Sequence, residues 1–272
     1  MIDKTQFYLL RKMETMIDIE THDGWAVLKL VRPAKRNALD RATRASLRRT
    51  LEGLAGDTRA VVVTGCEGSF CAGLDLKERE ADKAAGREDT AGAEWIDLVM
   101  AIREHPAVFI AAVNGPALGA GVTLLNSCDL ALAASDAVIG CPELGFAAYA
   151  GMSGPTTQLS QIPRKRVAWM LLTAATLDAA TAERWGLVNE VVAPAALLAR
   201  TGEIAARIAR YDPVAIAEVK KALDHVPALA ADWRAAMEYG QTVNAAIGER
   251  RRAAADGLSH STQGGHSPAQ DG

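Results

Sequence analysis

The sequence predicts an α/β fold, in which short buried strands alternate with amphipathic helices. Apolar runs of strand length recur at 25–31, 60–65 and 108–113, and segments with a helical spacing of apolar residues lie between them. Strands separated by helices are typical of a mainly parallel sheet. From about residue 153 onward the spacing is mostly helical, which predicts a helical module behind the strand-rich part.

In the first part of the chain, strand 25–31 is followed by a helix that reaches Leu54. Asp40 is its predicted N-cap, because an Asp side chain accepts hydrogen bonds from the first N–H groups of a helix. The strand 60–65 comes next. Segment 66–90, rich in charge and glycine, is predicted to be a loop.

The second part repeats this alternation. A helix is expected over 91–105, a buried strand over 108–113, a glycine turn that opens another helix, and a strand over 130–133. Behind them we expect one short strand and three helices, at 188–192, 195–210, 213–224 and 230–252. The expected organisation is an N-terminal extension, a core domain, a helical region that packs on a partner subunit and a disordered tail, at 1–15, 16–195, 196–252 and 253–272.

Composition favours an ordinary soluble enzyme. The chain has 272 residues, 49% of them hydrophobic and 23% charged, with a net charge of −3. That charge offers no electrostatic case for binding nucleic acid or an acidic membrane. No apolar run approaches the roughly 20 residues of a membrane span. The cysteines show no CxxC spacing, so we expect reduced thiols and a cytoplasmic location; they are Cys66, Cys71, Cys128 and Cys141.

The most informative motif is the glycine turn Gly119-Ala120-Gly121 after strand 108–113. A tight turn into a helix leaves backbone N–H groups without partners, and these can bind negative charge. The alternatives are a close helix–strand contact and a dinucleotide fingerprint, but Leu124 stands where the third glycine of that fingerprint is required. Glu143 adds a carboxylate for acid–base chemistry, although a lone glutamate is more often a surface or capping residue.

A second glycine-containing turn, Gly73-Leu74, follows strand 60–65. It can present the N–H of Leu74 to a ligand, with Lys77 close enough along the chain to meet a phosphate. Taken alone, this segment is as well explained by a solvated loop with an incidental lysine.

Together, these segments resemble the enoyl-CoA hydratase/isomerase (crotonase) superfamily over roughly residues 17–250. The resemblance rests on RPAKRNAL (32–39), FCAGLDLKE (70–78), AVNGPALGAG (112–121), Cys128-Asp129, Pro142-Glu143 and WGLVNEVV (185–192). It implies a spiral of ββα units and a C-terminal helical trimerisation region. The implied assembly is a homotrimer or a dimer of trimers.

The resemblance also implies the chemistry. The substrate is an acyl-CoA thioester, and no separate cofactor or metal is expected, since CoA is part of the substrate. The backbone N–H groups of Leu74 and Ala120 would hold the negative charge of an enolate-like intermediate. The residues expected to contact CoA are Lys35, Ala38, Leu39, Ala72, Asp75, Leu76 and Lys77, with Arg36 as an alternative to Lys35 near the phosphates.

The chain departs from the family pattern at Thr123. Hydratases of the family commonly use two glutamates to hold water and move protons; Glu143 matches the second, and Thr123 occupies the position of the first. Threonine can hydrogen-bond a water but cannot act as a base near neutral pH. One carboxylate suits proton transfer between two carbons, and slow hydration remains open if Thr123 or Tyr149 positions the water. The segment expected to shape the acyl pocket also departs from the family pattern, because MSGPTTQ (152–158) lacks the glycine pair that relatives often carry there.

Other classes of protein are weaker hypotheses. Gly151-Met152-Ser153-Gly154 lacks the GxSxG spacing of a serine hydrolase. The five histidines are scattered, which argues against a catalytic triad or metal site. The function expected is an enoyl-CoA hydratase/isomerase with one glutamate as proton carrier. The alternatives are a Δ3-Δ2 enoyl-CoA isomerase without hydratase activity and a non-catalytic acyl-CoA-binding protein.

Overall fold

The computed structural model describes residues 16–229 and, beyond them, residues 242, 246, 247, 249, 250, 252 and 253. The predicted extension 1–15, most of the predicted helix 230–252 and all but the first residue of the predicted tail 253–272 lie outside the described residues. Contacts divide the chain into two compact units, residues 1–210 and residues 211–272.

The strands of the described residues form two sheets. They are β1 (Ile17–His22), β2 (Trp25–Leu30), β3 (Ala60–Gly65), β4 (Val108–Val113), β5 (Ala117–Leu118), β6 (Leu130–Ala134), β7 (Val138–Gly140), β8 (Thr176–Asp178) and β9 (Glu190–Val192). The larger sheet has the order β1-β2-β3-β4-β6-β9, and the smaller has the order β5-β7-β8. Every pair in the larger sheet is parallel except β1 with β2. The predicted α/β class is therefore confirmed.

Helices connect these strands. They are α1 (Arg41–Glu52), α2 (Leu76–Ala84), α3 (Ala91–Glu104), α4 (Ala120–Ser127), α5 (Ser153–Leu159), α6 (Arg164–Thr173), α7 (Ala179–Trp185), α8 (Leu197–Ile208) and α9 (Pro213–His225). Short 3-10 turns lie at Pro33–Lys35, Pro142–Phe146, Pro194–Ala196 and Val226–Leu229. The predicted N-cap is confirmed, since the Asp40 side chain accepts a hydrogen bond from the N–H of Thr43.

The larger sheet is the centre of the hydrophobic core. Every residue of β3 is buried, as a central parallel strand covered on both faces requires. β2 alternates instead, burying Ala26, Leu28 and Leu30. Helix α8 packs against β3, β4 and β6, while α1 packs against α3 and β1. The ends of β3 and β4 thereby become rigid supports for the segments that follow them.

The prediction of a loop over 66–90 is wrong in part, because α2 (Leu76–Ala84) lies within it. The Asp75 side chain caps α2 by accepting hydrogen bonds from the N–H groups of Lys77 and Glu78. The helix is held to α1 by an ion pair of 2.9 Å between Arg41 and Asp82. The sequence did not predict this helix because ion pairs, rather than an apolar stripe, hold the helix to its neighbour.

Strand β8 (Thr176–Asp178) was also not predicted, since three residues are too few to show a period. Helix α8 belongs to the first of the two compact units, and the predicted domain boundaries at 15, 195 and 252 stay predictions. It buries Leu197, Thr201 and Ala205. No helix in the described ranges combines the length and apolarity that crossing a bilayer requires.

The second unit begins with helix α9. The side chain of Asp212 caps it through the N–H of Ala215. Glu218 is nearly buried, and its carboxylate pairs with Lys221 and with Arg250. The prediction of a helix over 213–224 is confirmed, and its predicted role in packing on a partner subunit stays a prediction.

Candidate active site

The glycine turn between β5 and α4 brings two chain segments into contact. Gly119 has a φ of 54° and precedes Ala120, the first residue of α4. A Cβ on Gly121 would lie 2.2 Å from the carbonyl oxygen of Cys71, so only glycine permits this approach. The close contact considered for this turn is therefore present. It holds the start of α4 beside the segment that contains Leu74.

That second segment is fixed by an isolated parallel bridge between Leu39 and Leu74. The N–H of Leu39 donates to the carbonyl of Gly73 at 2.8 Å, and the N–H of Asp75 donates to the carbonyl of Leu39 at 3.2 Å. These two bonds flank Leu74. In a parallel ladder, the N–H of the flanked residue therefore points to the opposite side of its strand, away from Leu39.

The N–H groups of Leu74 and Ala120 thus lie on adjoining segments. The Cβ position built on Gly73 is 3.3 Å from the backbone nitrogen of Ala120. Within residues 16–229, neither N–H donates to a backbone acceptor. Ala120 is not among the residues with positive φ, so its methyl group does not strain the turn. The structure brings the two predicted donors together with their hydrogen-bonding capacity unused.

Glu143 lies in the turn Pro142–Phe146, with its carboxylate at this same helix start. Its Oε1 atom is 3.1 Å from the Cβ position built on Gly119. The hydroxyl of Ser153 donates a hydrogen bond of 2.9 Å to Oε1. The second oxygen, Oε2, is buried and has no hydrogen-bond partner. Buried polar atoms nearly always have partners, so an unsatisfied carboxylate oxygen points to a substrate or a water.

Thr123 carries a second unsatisfied oxygen. Its side chain is 2% exposed, and its Oγ1 atom is buried without a partner. A hydroxyl within a helix usually satisfies itself by bonding to the carbonyl four residues earlier, as Thr201 does with Leu197. The free hydroxyl of Thr123 is consistent with the role expected for it, holding a water.

The cysteines near the site are poor nucleophiles. Burial raises the pKa of the Cys141 thiol to about 11. A hydrogen bond with Ser153 lowers this pKa, and the charge of Glu143 raises it. Burial raises the pKa of the Cys71 thiol to about 12, although a hydrogen bond from Gly73 lowers it. Both thiols stay protonated at neutral pH, and the thiolate is the reactive form. Glu143 is therefore the group in this cluster suited to proton transfer.

A cavity of about 700 Å³ adjoins the turn that contains Glu143. Its wall is formed by the residues after Glu143, starting at Leu144, and by helix α6. The N–H of Ala148, which lines it, donates to the carbonyl of Glu143 at 3.0 Å. Tyr149, the alternative water-positioning residue, also lines this cavity and is 67% exposed.

The residues expected to contact CoA lie on the two segments that the bridge between Leu39 and Leu74 joins. Asp75 is the one whose side chain is engaged elsewhere: it caps α2 and pairs with Arg32 at 2.7 Å. Its carboxylate therefore holds the segment in place. Of the others, Lys35, Leu76 and Lys77 are exposed, Ala72 is half-buried, and Ala38 and Leu39 are buried.

The sequence interpretation missed Ser153 as a site residue. It noted this residue only as failing the spacing of a serine nucleophile. The signal available was a polar residue at the start of a helix, ten positions after the candidate carboxylate. No local pattern distinguishes that arrangement from an ordinary helix start, because the bond depends on how the intervening turn folds back.

Two free N–H donors next to a carboxylate define a site that can stabilise an oxyanion and move a proton. Charge that develops on a carbonyl oxygen is stabilised by fixed donors in a water-poor environment. A carboxylate at the same place can take up and return a proton. This combination suits an enzyme that forms an enolate.

The sequence comparisons agree with that class. Residues 20–246 match the family model described as "Enoyl-CoA hydratase/isomerase". A 2,3-dehydroadipyl-CoA hydratase of Escherichia coli is 36% identical over 200 residues, covering 72% of this chain and 77% of the relative. A short-chain-enoyl-CoA hydratase of Clostridium acetobutylicum is 36% identical over 211 residues, covering 76% of this chain and 80% of the relative.

Solved structures show the same fold. The enoyl-CoA hydratase of Bacillus anthracis superposes with a TM-score of 0.77 at 28% identity, covering 85% of this chain and 90% of that chain. The enoyl-CoA hydratase of Mycobacterium smegmatis gives a TM-score of 0.76 at 30% identity, with the same coverage of 85% and 90%. The chain belongs to the enoyl-CoA hydratase/isomerase family and has the crotonase fold, as its motifs predicted.

Proposed function

We propose that this protein is an enoyl-CoA hydratase/isomerase-type enzyme that forms an enolate from an acyl-CoA thioester, with Glu143 as its single proton carrier. The observation that supports this most is the placement of the Glu143 carboxylate, whose Oε2 atom is free, at a helix start whose N–H donor is also free. CoA enters as part of the substrate, so the scheme needs no separate cofactor or metal.

In the proposed reaction, the thioester carbonyl accepts hydrogen bonds from the N–H groups of Leu74 and Ala120. For isomerisation, Glu143 removes a proton from C2 of a 3-enoyl thioester, and the electron pair is delocalised onto the carbonyl oxygen as the enolate. The same carboxyl group then delivers the proton to C4 as the double bond moves to C2. One donor lost from such a pair typically costs about 2.7–4 kcal/mol of barrier.

Hydration uses the same site with a water. In this branch a water is held between the hydroxyl of Thr123 and Oε2 of Glu143. Glu143 takes a proton from the water while the oxygen of that water bonds to C3 of a 2-enoyl thioester. Glu143 then returns the proton to C2 of the enolate. Because threonine orients but does not deprotonate, we expect hydration to be slow compared with isomerisation.

Isomerase without hydratase activity is the second candidate, and Thr123 is the observation that favours it. The third is an acyl-CoA-binding protein that does not turn over. We also propose that the protein forms a homotrimer or a dimer of trimers. We propose a cytoplasmic location as well, and the four free cysteines support this location.

The test is incubation of the full chain with trans-2-hexenoyl-CoA and trans-3-hexenoyl-CoA in heavy water, followed by mass spectrometry and deuterium NMR. We expect the 3-enoyl thioester to become the 2-enoyl isomer, with deuterium at C4 only to the extent that the Glu143 carboxyl exchanges its proton with the solvent before delivering it. The 3-hydroxy product should accumulate slowly and carry deuterium at C2. Rapid hydration would assign the protein as a hydratase. Tight binding of both thioesters with no product from either would show a binding protein.

A further inference from the structure

The cavity beside Glu143 is apolar except for three side chains. Alanine, leucine, isoleucine and valine side chains make up the rest of its wall. The polar members are Tyr149, Gln158 and Arg164, and Arg164 is the charged one. A volume of about 700 Å³ lies within the range of sites that enclose a small ligand. Such a wall accommodates a hydrocarbon chain and offers one cation to whatever that chain carries.

Arg164 has no charge partner in the part of the chain that the structure describes. By contrast, the guanidinium of Arg44 pairs with Glu94 at 2.8 Å, and that of Arg200 pairs with Glu190 at 2.9 Å. The neighbouring Arg166 is also engaged, since it lies over the ring of Trp185. A guanidinium is always charged and presents a planar fork that fits a carboxylate. Arg164 is exposed and lines the apolar cavity, so its guanidinium is accessible to an anion at that wall.

The cavity and the proposed reaction centre adjoin the same short turn, Pro142–Phe146, which contains Glu143. Leu144 follows the catalytic carboxylate directly, and Ala148 is bonded to the Glu143 carbonyl. If Glu143 acts on the first carbons of the acyl group, the remainder of that group extends into this cavity. This step rests on the proposed function. The cations expected near CoA, Lys35 and Lys77, lie on the other segments of the site.

We propose that Arg164 is a specificity-determining residue, and that the substrate is an acyl-CoA thioester with a carboxylate at the far end of its acyl chain. The apolar wall packs against the methylene groups, and the guanidinium of Arg164 binds the terminal carboxylate. A phosphate of CoA is the other anion available. Phosphate binding would affect every CoA ester equally, whereas the terminal carboxylate distinguishes one ester from another.

The experiment compares two six-carbon 2-enoyl thioesters, trans-2-hexenoyl-CoA and its counterpart with a terminal carboxylate. The measured quantity is the ratio of their kcat/KM values in the wild type, in Arg164→Gln and in Arg164→Lys. We expect the wild type to favour the carboxylate substrate and Arg164→Gln to lower the ratio by about 10- to 100-fold, the worth of a hydrogen-bonded charge pair. Arg164→Lys should retain part of the preference, because it keeps the charge without the planar fork.

Lys165→Gln is the matched control, since it removes the adjacent positive charge without removing a residue of the cavity wall. Its ratio should stay within about twofold of the wild type. An equal loss for both substrates in Arg164→Gln indicates a CoA phosphate and overturns the inference, as does a wild-type preference for the neutral thioester. If neither substrate turns over, the proposed function fails by itself. The ratio of their Kd values by calorimetry, in the same variants, then decides the role of Arg164.

Discussion

The hydroxyl of Ser153 donates a hydrogen bond of 2.9 Å to Oε1 of Glu143 and leaves Oε2 free. Ser153 is 1% exposed and begins helix α5, so its side chain is fixed by packing. A carboxylate anchored through one oxygen presents the other in a defined direction. Proton transfer depends on such positioning, because the donor and acceptor must lie within hydrogen-bond reach of the reacting atom.

Ser153→Ala should therefore lower kcat by about tenfold, the effect of a mispositioned base, with little change in KM, because Ser153 positions Glu143 without touching the substrate. Steady-state kinetics on the 3-enoyl thioester measures both constants. Ser160→Ala is the control: it removes a similar hydroxyl that bonds to the carbonyl of Thr156 on the exposed face. A parallel rise of KM in Ser153→Ala would contradict a positioning role and indicate general damage to the pocket.

Glu143→Gln should abolish turnover and leave thioester binding nearly intact. The amide keeps the shape and the hydrogen bond from Ser153 but cannot carry the proton, so we expect a loss of about 10²- to 10⁴-fold in kcat. Stopped assays give the rate, and calorimetry gives the Kd. Glu80→Gln, an exposed change on helix α2, is the control. Full activity in Glu143→Gln would remove this residue from the mechanism.

Variants at Thr123 separate hydration from isomerisation. Thr123→Val keeps the shape but removes the unsatisfied hydroxyl, so hydration should fall by about tenfold or more while isomerisation continues. Thr123→Ser retains the hydroxyl and is the matched control. Thr123→Glu supplies a second carboxylate and should raise hydration of a short 2-enoyl thioester. Unchanged hydration in both Thr123→Val and Thr123→Glu would show that no water is held here.

Gly121→Ala tests whether the backbone contact with Cys71 holds the site together. Its Cβ would lie 2.2 Å from the Cys71 carbonyl oxygen, and we expect a loss of about 1–3 kcal/mol in the free energy of unfolding, with reduced activity. Gly92→Ala occupies the same second helical position in α3 with open space around it. That control should gain about 0.5–1 kcal/mol, because alanine is the better helix former. Urea unfolding of both variants measures the contrast, and equal effects would mean that α4 accommodates the methyl group by shifting.

Asp75 should make stability depend on pH. Burial raises the pKa of its carboxyl, but the hydrogen bond and charge of Arg32, with the N–H groups of Glu78 and Lys77, bring the pKa below its usual value. A folded pKa below the unfolded one contributes stability that is complete above about 3.9 and is lost as pH falls through the folded value. Asp75→Asn should thus cost about 1–3 kcal/mol at pH 7 and less in acid.

Urea unfolding between pH 7 and pH 3 checks this expectation. Asp57→Asn is the control, because Asp57 is exposed and pairs with no cation within the described ranges. Its effect on the free energy of unfolding should be small. If the cost of Asp75→Asn is the same at both ends of the range, the carboxylate charge does not stabilise the fold.

Features with a local origin could be predicted from the amino-acid sequence. Periodicity placed β3, β4 and α3, because an apolar pattern repeats within a few residues. The helix start at Asp40 followed from one side chain and the N–H groups next to it. The glycine turn at Gly119 predicted free N–H groups, because the first N–H groups of a helix have no partner within that helix. The order of the motifs then indicated the family, because that assignment depends only on residue types and their spacing.

The contacts between these local features could not be predicted in the same way, because they depend on the three-dimensional fold. Leu74 and Ala120 are far apart in the chain, and they meet because a parallel bridge and the missing side chain of Gly121 bring two segments into contact. The bond from Ser153 to Glu143, the unsatisfied hydroxyl of Thr123 and the cavity that Arg164 lines arise in the same way. A sequence pattern reports what a residue can do over one or two turns of chain. Which groups face each other is set by long-range packing, where the energy depends on contacts that no local pattern contains.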